Sequence, residues 1–385
     1  MNPRVVILTT YYRPIVGGVE SNAERLARYL LTGGFEVRVV TKRVKRSLAD
    51  AEELDGVTIA RIGPFGERSA AGKWRLVPSA VAWLLRHRAD YDIVCCIDYR
   101  GVGIAAIVAR SLTARPVVLQ AQTPGGLIPT FIRWPAIALY RRADAFACIS
   151  HALEREARAA GVPANRIYFL PNAVDMDRFR PPGSDEKAEL RRQLSLAPAD
   201  VVCLFIGRLS REKGLMDLLE AWRIASPRAI LLVGGPDMEG HPWNVGPVAR
   251  EYVERHKLID SVRFLGSVSD VPSLLRAVDV VIQPSHFEAL GLSAVEALAS
   301  GVPVIASAVG GLLDFVIDGD NGMLSAPQDP SALASGLQTI VDDGALRRRL
   351  SGRARASVAE YDERIVFAHF AALIRQLARL QSQAT

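Results

Sequence analysis

Short, unbroken apolar runs recur along this chain, each followed by residues with helical spacing. VVILTT (5–10), DIVCCI (92–97), PVVLQ (116–120) and AFACIS (145–150) show no polar residue at alternate positions. A strand with one wet face alternates, so these runs read as strands buried on both faces. GIAAIVARSL, HALEREARAAG and the series Ala23, Leu26, Ala27, Leu30 carry the helical period. Thr32-Gly33-Gly34 stops that last helix and EVRVVT opens the next strand, giving a β-α-β unit. RIYFLPN (166–172) reads as a further strand. The pattern predicts an α/β fold of parallel sheets covered by helices on both faces.

A second set of runs follows. VVCLFIGRL, AILLVGGPD and VRFLGSV each reach a glycine, and DVVIQPS and PVIAS continue the series. Ligands of parallel sheets bind beyond the carboxyl ends of the strands, where glycine lets the backbone approach closely. With 385 residues the chain is long enough for two domains. Residues 180–200, RPPGSDEKAELRRQLSLAPAD, read as an interdomain linker carrying a short helix. After Asp329 the chain reads as helical, ending in an amphipathic stretch from Arg364 to Leu380.

A composition of 49% hydrophobic and 23% charged residues excludes a disordered or fibrous chain. Cys95, Cys96, Cys148 and Cys203 sit in apolar runs with no C-x-x-C spacing, which argues against a disulfide framework or a structural zinc. The first apolar run is too short for a signal-peptide core or a spanning helix, so a reducing, cytoplasmic location is expected. Residues 1–180 hold 26 Lys and Arg against 16 Asp and Glu; the remainder holds 21 against 25. The positive field of the first half concentrates anionic partners.

The densest chemistry lies in PSHFEALGLSAVEALASGVPVIAS (284–307). A strand ends near Pro284, Gly291 permits a tight approach, and a helix runs from about Leu292 to Ala299. The free amides of Leu292 and Ser293 would seat a phosphate. Glu288 and Glu296 bracket that helix start and could accept sugar hydroxyls; equally, they could complement the helix dipole or face solvent. In IGRLSREKGL, Arg208 follows a strand-ending glycine and Lys213 precedes a helix, a planar fork and a mobile charge suited to adjacent phosphates or to a solvated surface. Gly17-Gly18 opens a helix after the first strand, or is a simple turn.

Taken together, GGVE (17–20), PNAVD with Phe179, GRLSREKG (207–214), LVGGPD (232–237), FLGSV (264–268), E-ALGLSAV-E (288–296), EALASGVPVIAS, VGG and DGDNG resemble the retaining glycosyltransferases of family 4. The resemblance covers about residue 4 to residue 330. It implies a GT-B fold of two facing Rossmann-like domains with parallel sheets and a deep interdomain cleft. Residues 1–180 would bind the acceptor and 181–363 the nucleotide-sugar donor, with the helix 364–385 packing back on the first domain.

Carried over residue by residue, the resemblance gives Arg208 and Lys213 the donor diphosphate. Glu288 would take hydroxyls of the transferred sugar and Glu296 the ribose diol. Gly17, Gly18, Gly207, Ala289, Leu290, Gly291, Leu292 and Ser293 would line the donor, and Val268 would edge the base. Transfer would retain configuration by same-face attack, the departing phosphate oxygen taking the acceptor proton. Members often carry a histidine in the loop where this chain has QAQTPGG, so Gln122, which cannot titrate near neutrality, stands in its place. Gln122, Ser150 and Asn172 are the acceptor-side candidates, and His151 reads as a helix-start residue.

No cofactor is expected and no metal. Asp175-Met176-Asp177 spells D-x-D but belongs to the PNAVD turn, and Asp318-Gly319-Asp320 lacks a calcium-loop pattern. LIPTFIRWPAIALYRR (127–142) has the composition of an interfacial segment or of a domain helix with basic flanks. It motivates the expectation of a lipid-linked acceptor and of attachment to the inner face of an anionic membrane, as in surface polysaccharide or glycolipid assembly. The rivals are a glycoside hydrolase, which has no use for a diphosphate site, and a sugar-nucleotide epimerase or noncatalytic binding protein. Nucleic acid is not an expected partner, since no aromatic platform interleaves the basic residues.

Overall fold

The apolar runs become strands in a computed structural model that describes residues 2–15, 17–63, 65, 70–97, 101–122 and 140–384. The chain divides into two units. One runs to Ala173 and takes in the chain again from Arg364; the other is Val174–Glu363.

The first unit contains β1 (Arg4–Thr9), α1 (Gly18–Thr32), β2 (Glu36–Lys42), β3 (Ala51–Leu54), β4 (Val57–Ile62), α2 (Ala70–Arg86), β5 (Ile93–Ile97), α3 (Val102–Thr113), β6 (Val117–Ala121), β7 (Ala145–Cys148), α4 (His151–Ala159) and β8 (Ile167–Phe169). Among the described residues its strands lie in the order β3-β4-β2-β1-β5-β6-β7-β8. Every pairing is parallel except β3 with β4. That antiparallel edge departs from the all-parallel expectation. Asp55 and Gly56 both take positive φ (52° and 77°), the turn that closes a two-residue hairpin, and β3 is partly exposed, with no apolar run to announce it.

The second unit contains α5 (Glu186–Gln193), β9 (Val202–Ile206), α6 (Leu215–Ala225), β10 (Ile230–Gly234), α7 (Gly246–Arg255), β11 (Val262–Gly266), α8 (Val271–Ala277), β12 (Val280–Gln283), α9 (Leu292–Ala299), β13 (Val304–Ser307), β14 (Gly322–Ser325), α10 (Pro330–Asp342) and α11 (Gly344–Ala354). Its strands run parallel in the order β11-β10-β9-β12-β13-β14. Aspartates set several helix starts: Asp270, Asp329 and Asp343 each accept from an amide of the first turn.

The boundary falls at Ala173/Val174 rather than at 180/181, and residues 180–200 are no linker. Lys187 and Arg191 of α5 bind Asp279 at 2.7 and 2.5 Å, and Arg276 of α8 pairs with Glu186 at 2.8 Å. Three of the charges that give this segment its linker-like composition, Glu186, Lys187 and Arg191, dock it to the rest of the unit.

Both sheets are pinned at their amino edges in the same way. Asp92, just before β5, accepts the Arg4 amide (2.8 Å); Asp144, before β7, accepts the Val117 amide (2.9 Å); Asp279, before β12, accepts the Val202 amide (2.8 Å). Each carboxylate also pairs with an arginine: Arg4, Arg110 and Arg191. The first amide of a strand, which otherwise lacks a partner on that side, is thereby satisfied.

α12 (Glu363–Ala384) belongs to the first unit from Arg364 onward. Val366, Phe367, Phe370, Ala371, Ile374 and Leu377 fall on one face and join the core built around Leu26, Leu30, Phe35 and Ile59. The Phe367 ring lies 5.6 Å from that of Tyr29. At about 1.5–3 kcal/mol for each large apolar side chain buried, this helix is a principal part of the core. Among the described residues no helix is long and apolar enough to cross a membrane.

Candidate active site

In the second unit the strand order changes direction between β9 and β12: from β9 the sheet grows through β10 and β11, from β12 through β13 and β14. All strands are parallel, so their carboxyl ends share one edge, and the gap at such a reversal is where open sheets take ligands. The loops after β9 and β12 meet there.

The loop after β9 is held firmly. Gly207 donates to the Gly234 carbonyl and Leu209 to Pro236, both at 3.0 Å, and Arg211 donates to Trp243 at 2.9 Å. Arg208 reaches Glu212 at 2.7 Å, its own side chain 55% exposed and that of Glu212 only 9%. The carboxylate thus fixes one end of a guanidinium whose other donors face water. At Gly214, φ is +71° and a Cβ would overlap the Pro284 carbonyl, so only glycine lets the two loops touch.

Lys213 Nζ donates to Glu288 Oε1 at 2.6 Å. The same oxygen accepts Gln283 Nε2 at 2.8 Å and Ser285 Oγ at 3.0 Å. Gln283 Oε1 in turn accepts Ser293 Oγ at 2.8 Å, which ties the strand end to the first turn of α9. Glu288 is 8% exposed, yet it is an ion pair with two further donors, the condition under which a buried carboxylate is tolerated. Its backbone is gripped as well: the Gly311 amide donates to the Glu288 carbonyl at 3.2 Å, and Gly310, at φ +52°, has no room for a Cβ against it.

Gly291 starts α9 at φ +92° with no side-chain cap, so Leu292 and Ser293 present amides that the helix cannot satisfy. Ala289 and Leu290 form the backbone against which Gly311 packs. Glu296 is half-buried one turn on, on the face of Leu292 and Ser293. The second unit therefore brings together Arg208, Lys213, Glu288, Leu292, Ser293 and Glu296. Val268 follows β11, two strands from β9, and packs near Gly234.

The remaining candidates Gly17, Gly18, Gln122, Ser150 and Asn172 belong to the first unit, and the aspartates of the D-x-D and D-G-D stretches to the second. Gly17 is the extended residue before α1, whose first residue is Gly18. Gln122 Nε2 donates to Gln120 (2.8 Å) and Asn172 (3.0 Å), and Asn172 Nδ2 donates back to Gln122 Oε1 (2.8 Å). This buried, neutral amide pair spends both hydrogens and the oxygen of Gln122 on the protein. Ser150 caps α4 by accepting the Leu153 amide at 3.3 Å, and His151 is the first residue of that helix, stacked on Phe169. Asp175 accepts the amides of Asp177 and Arg178, both at 3.0 Å, so it closes a turn. Asp318 accepts the Leu324 amide, and Asp320 pairs with Arg353. Residues 127–139 of the interfacial stretch lie outside the described residues. Among the described residues no group of three or more His, Cys, Asp or Glu could hold a metal ion.

Sequence reasoning missed Gln283, Ser285, Glu212 and the pair His286–Asp217, whose Nε2 and Oδ2 lie 2.7 Å apart. Gln283 did leave a signal: it is the polar residue that ends the otherwise apolar strand VVIQ.

Comparison with known proteins gives consistent matches. Residues 186–357 match the family described as glycosyl transferases group 1, and residues 16–178 match glycosyltransferase family 4. A D-inositol 3-phosphate glycosyltransferase of Streptomyces avermitilis is 37% identical over 93% of this chain and 84% of its own length. Among solved structures, a sucrose-phosphate synthase from Thermosynechococcus elongatus is 25% identical with a TM-score of 0.85, covering 97% of this chain and 99% of that one. The Anabaena protein Alr3699/HepE, in complex with UDP and glucose, superposes with a TM-score of 0.82 at 21% identity, covering 97% and 99%. Both have the architecture seen here: two Rossmann-like α/β units.

Proposed function

The chain belongs to the group 1 glycosyltransferases of family 4, and from that premise we propose that it moves a sugar from a nucleoside diphosphate to a glycan or lipid-linked acceptor, with retention and without a metal ion. The observation that carries this reading is the Lys213–Glu288 pair at the β9–β12 reversal, beside the uncapped start of α9. Lys213 spends one of its three donors on Glu288, and Arg208 one of its five on Glu212. The others, with the amides of Leu292 and Ser293, form a cationic seat for a diphosphate.

The difficult event is departure of the diphosphate as the anomeric carbon gains positive character. Lys213 and Arg208 stabilise the charge that grows on the leaving oxygen, and removing one such preorganised donor costs about 2.7–4 kcal/mol. Glu288 Oε1 is occupied by three donors, while among the described residues nothing donates to Oε2, which is left to accept a hydroxyl of the sugar. On this reading Glu288 holds the sugar rather than attacking it, and transfer proceeds by same-face attack with the acceptor proton passing to the departing phosphate oxygen.

Relatives that hold UDP support a nucleotide-sugar donor. A melting panel of UDP-, GDP- and ADP-sugars tests this: a bound donor at about 100-fold its Kd adds roughly 2.7 kcal/mol. Transfer to a glycan or lipid acceptor in EDTA completes the test. Release of sugar from a plain glycoside would identify a hydrolase, and donor turnover without an acceptor an epimerase. Work at the cytoplasmic membrane face predicts better co-sedimentation with anionic than with neutral vesicles; equal recovery removes that part of the proposal.

A further inference from the structure

The candidate site depends on two loops keeping a fixed distance, and a pair of side chains outside the Glu288 network joins them. Arg208 and Lys213 come from the loop after β9, Glu288 from the loop after β12. His286, in the second loop, donates its amide to the Glu212 carbonyl in the first at 2.9 Å. Its Nε2 lies 2.7 Å from Oδ2 of Asp217, in the first turn of α6. The two side chains are only 21% and 24% exposed, so the contact is more than a surface ion pair. An ionised carboxylate only accepts, which places the ring proton on Nε2.

The pair stands close to the groups it can influence. Asp217 follows Lys213 by four residues, across the left-handed Gly214, and His286 precedes Glu288 by two. Glu212, whose carbonyl takes the His286 amide, is the residue whose carboxylate holds Arg208. Between them Gly214 touches Pro284 with no side chain to act as a spacer. Apart from the Lys213–Glu288 pair itself, separation of the loops is therefore set by backbone contact and by the His286–Asp217 bond.

We propose that His286 and Asp217 are a positioning pair that sets the spacing of the two loops and so places Lys213 and Arg208 on the donor diphosphate. This rests on the donor-site reading above. Misplacement of a reacting group by about 1 Å can cost on the order of a hundredfold in rate, so a modest loosening should be measurable.

The test is steady-state kinetics with the best donor of the panel, together with calorimetric binding of its nucleoside diphosphate. His286→Ala and Asp217→Ala are expected to weaken diphosphate binding and lower kcat/KM for donor by about tenfold, leaving acceptor KM unchanged. His286→Gln and His286→Leu both fill the space, but only glutamine donates to the carboxylate. Glutamine should recover to within about threefold of wild type and leucine should not. The double alanine variant should be no worse than the worse single.

Wild-type kcat/KM and binding in His286→Ala, equal loss in the glutamine and leucine variants, or additive losses in the double variant would each overturn the pair's role while leaving the donor site standing. A wild-type protein that binds no nucleoside diphosphate overturns the donor site and this role with it.

Discussion

The two units are alike at the amino edges of their sheets and unlike at the carboxyl edges. In both, an aspartate just before a strand takes the first amide of its neighbour and an arginine: Asp92 and Asp144 in one unit, Asp279 in the other. At the opposite edge the second unit holds a charged network around Glu288, Lys213 and Arg208, whereas among the described residues at the end of β6 the first holds the neutral amides of Gln120, Gln122 and Asn172. The amino edge repeats because it solves a folding problem common to parallel sheets. On the proposed function the carboxyl edges differ because a cationic cradle suits a diphosphate, whereas closed amides carry no charge to offer one.

The contrast can be broken in four ways. Phe367→Ala empties a buried site in the α12 face and should destabilise the first unit by about 3–5 kcal/mol. Chemical denaturation should then resolve an early transition, and nucleotide-induced stabilisation of the second unit should survive; a single, uniformly shifted transition would show that the units are not energetically separate. Lys213→Ala and Arg208→Ala should each lower transfer by roughly 10²–10³, or about 2.7–4 kcal/mol in the barrier; melting should change little for the exposed Arg208 and fall for Lys213, whose loss leaves the buried Glu288 without its counter-ion. Near-normal turnover by both would remove the cationic cradle from the comparison.

Asn172→Ala leaves the buried Gln122 without its reciprocal partner and should cost about 1–3 kcal/mol of stability. Diphosphate affinity should not move, which calorimetry checks; a large loss of affinity would mean that the neutral edge also handles donor. The smallest effect concerns acid. Burial pushes the Asp92 carboxyl up, but hydrogen bonds from the Arg4 side chain and amide outweigh it and hold the group below its usual range. A depressed carboxylate stabilises the fold above its unfolded value of about 3.9, and that contribution is lost as pH falls through the lower folded value. Urea midpoints from pH 7 downward should therefore decline less steeply in acid for Asp92→Asn than for wild type; parallel curves would refute this.

Where a structural cause was local, the sequence disclosed it. Doubly buried strands announce themselves as apolar runs, and the glycines that end β9, β10 and β11 mark the edge where the loops approach one another. The motif residues Arg208, Lys213 and Glu288 do lie at one reversal point of one sheet. What the text did not disclose depends on distant partners. Nothing near His286 names Asp217, sixty-nine positions earlier. Residues 180–200 looked like a tether because charge and proline look alike whether solvated or paired, and Asp279, which captures Lys187 and Arg191, is far along the chain. The β3–β4 hairpin is different: Asp55-Gly56 is a readable turn signal, but its first strand, partly exposed and acidic, has no apolar run.

The position of α12 has a consequence for biogenesis. The unit begun first at the ribosome is the one completed last, since 190 residues, Val174–Glu363, separate its body from the helix that seals it. At about 5–20 residues per second that interval lasts roughly ten to forty seconds. Throughout it, the nascent chain carries an uncovered apolar seat around Leu26, Leu30 and Phe35, while the following unit has time to fold as an uninterrupted segment. A chaperone that shields this seat during translation would act before the enzyme is whole, and a stop codon ahead of Arg364 would leave the seat permanently open.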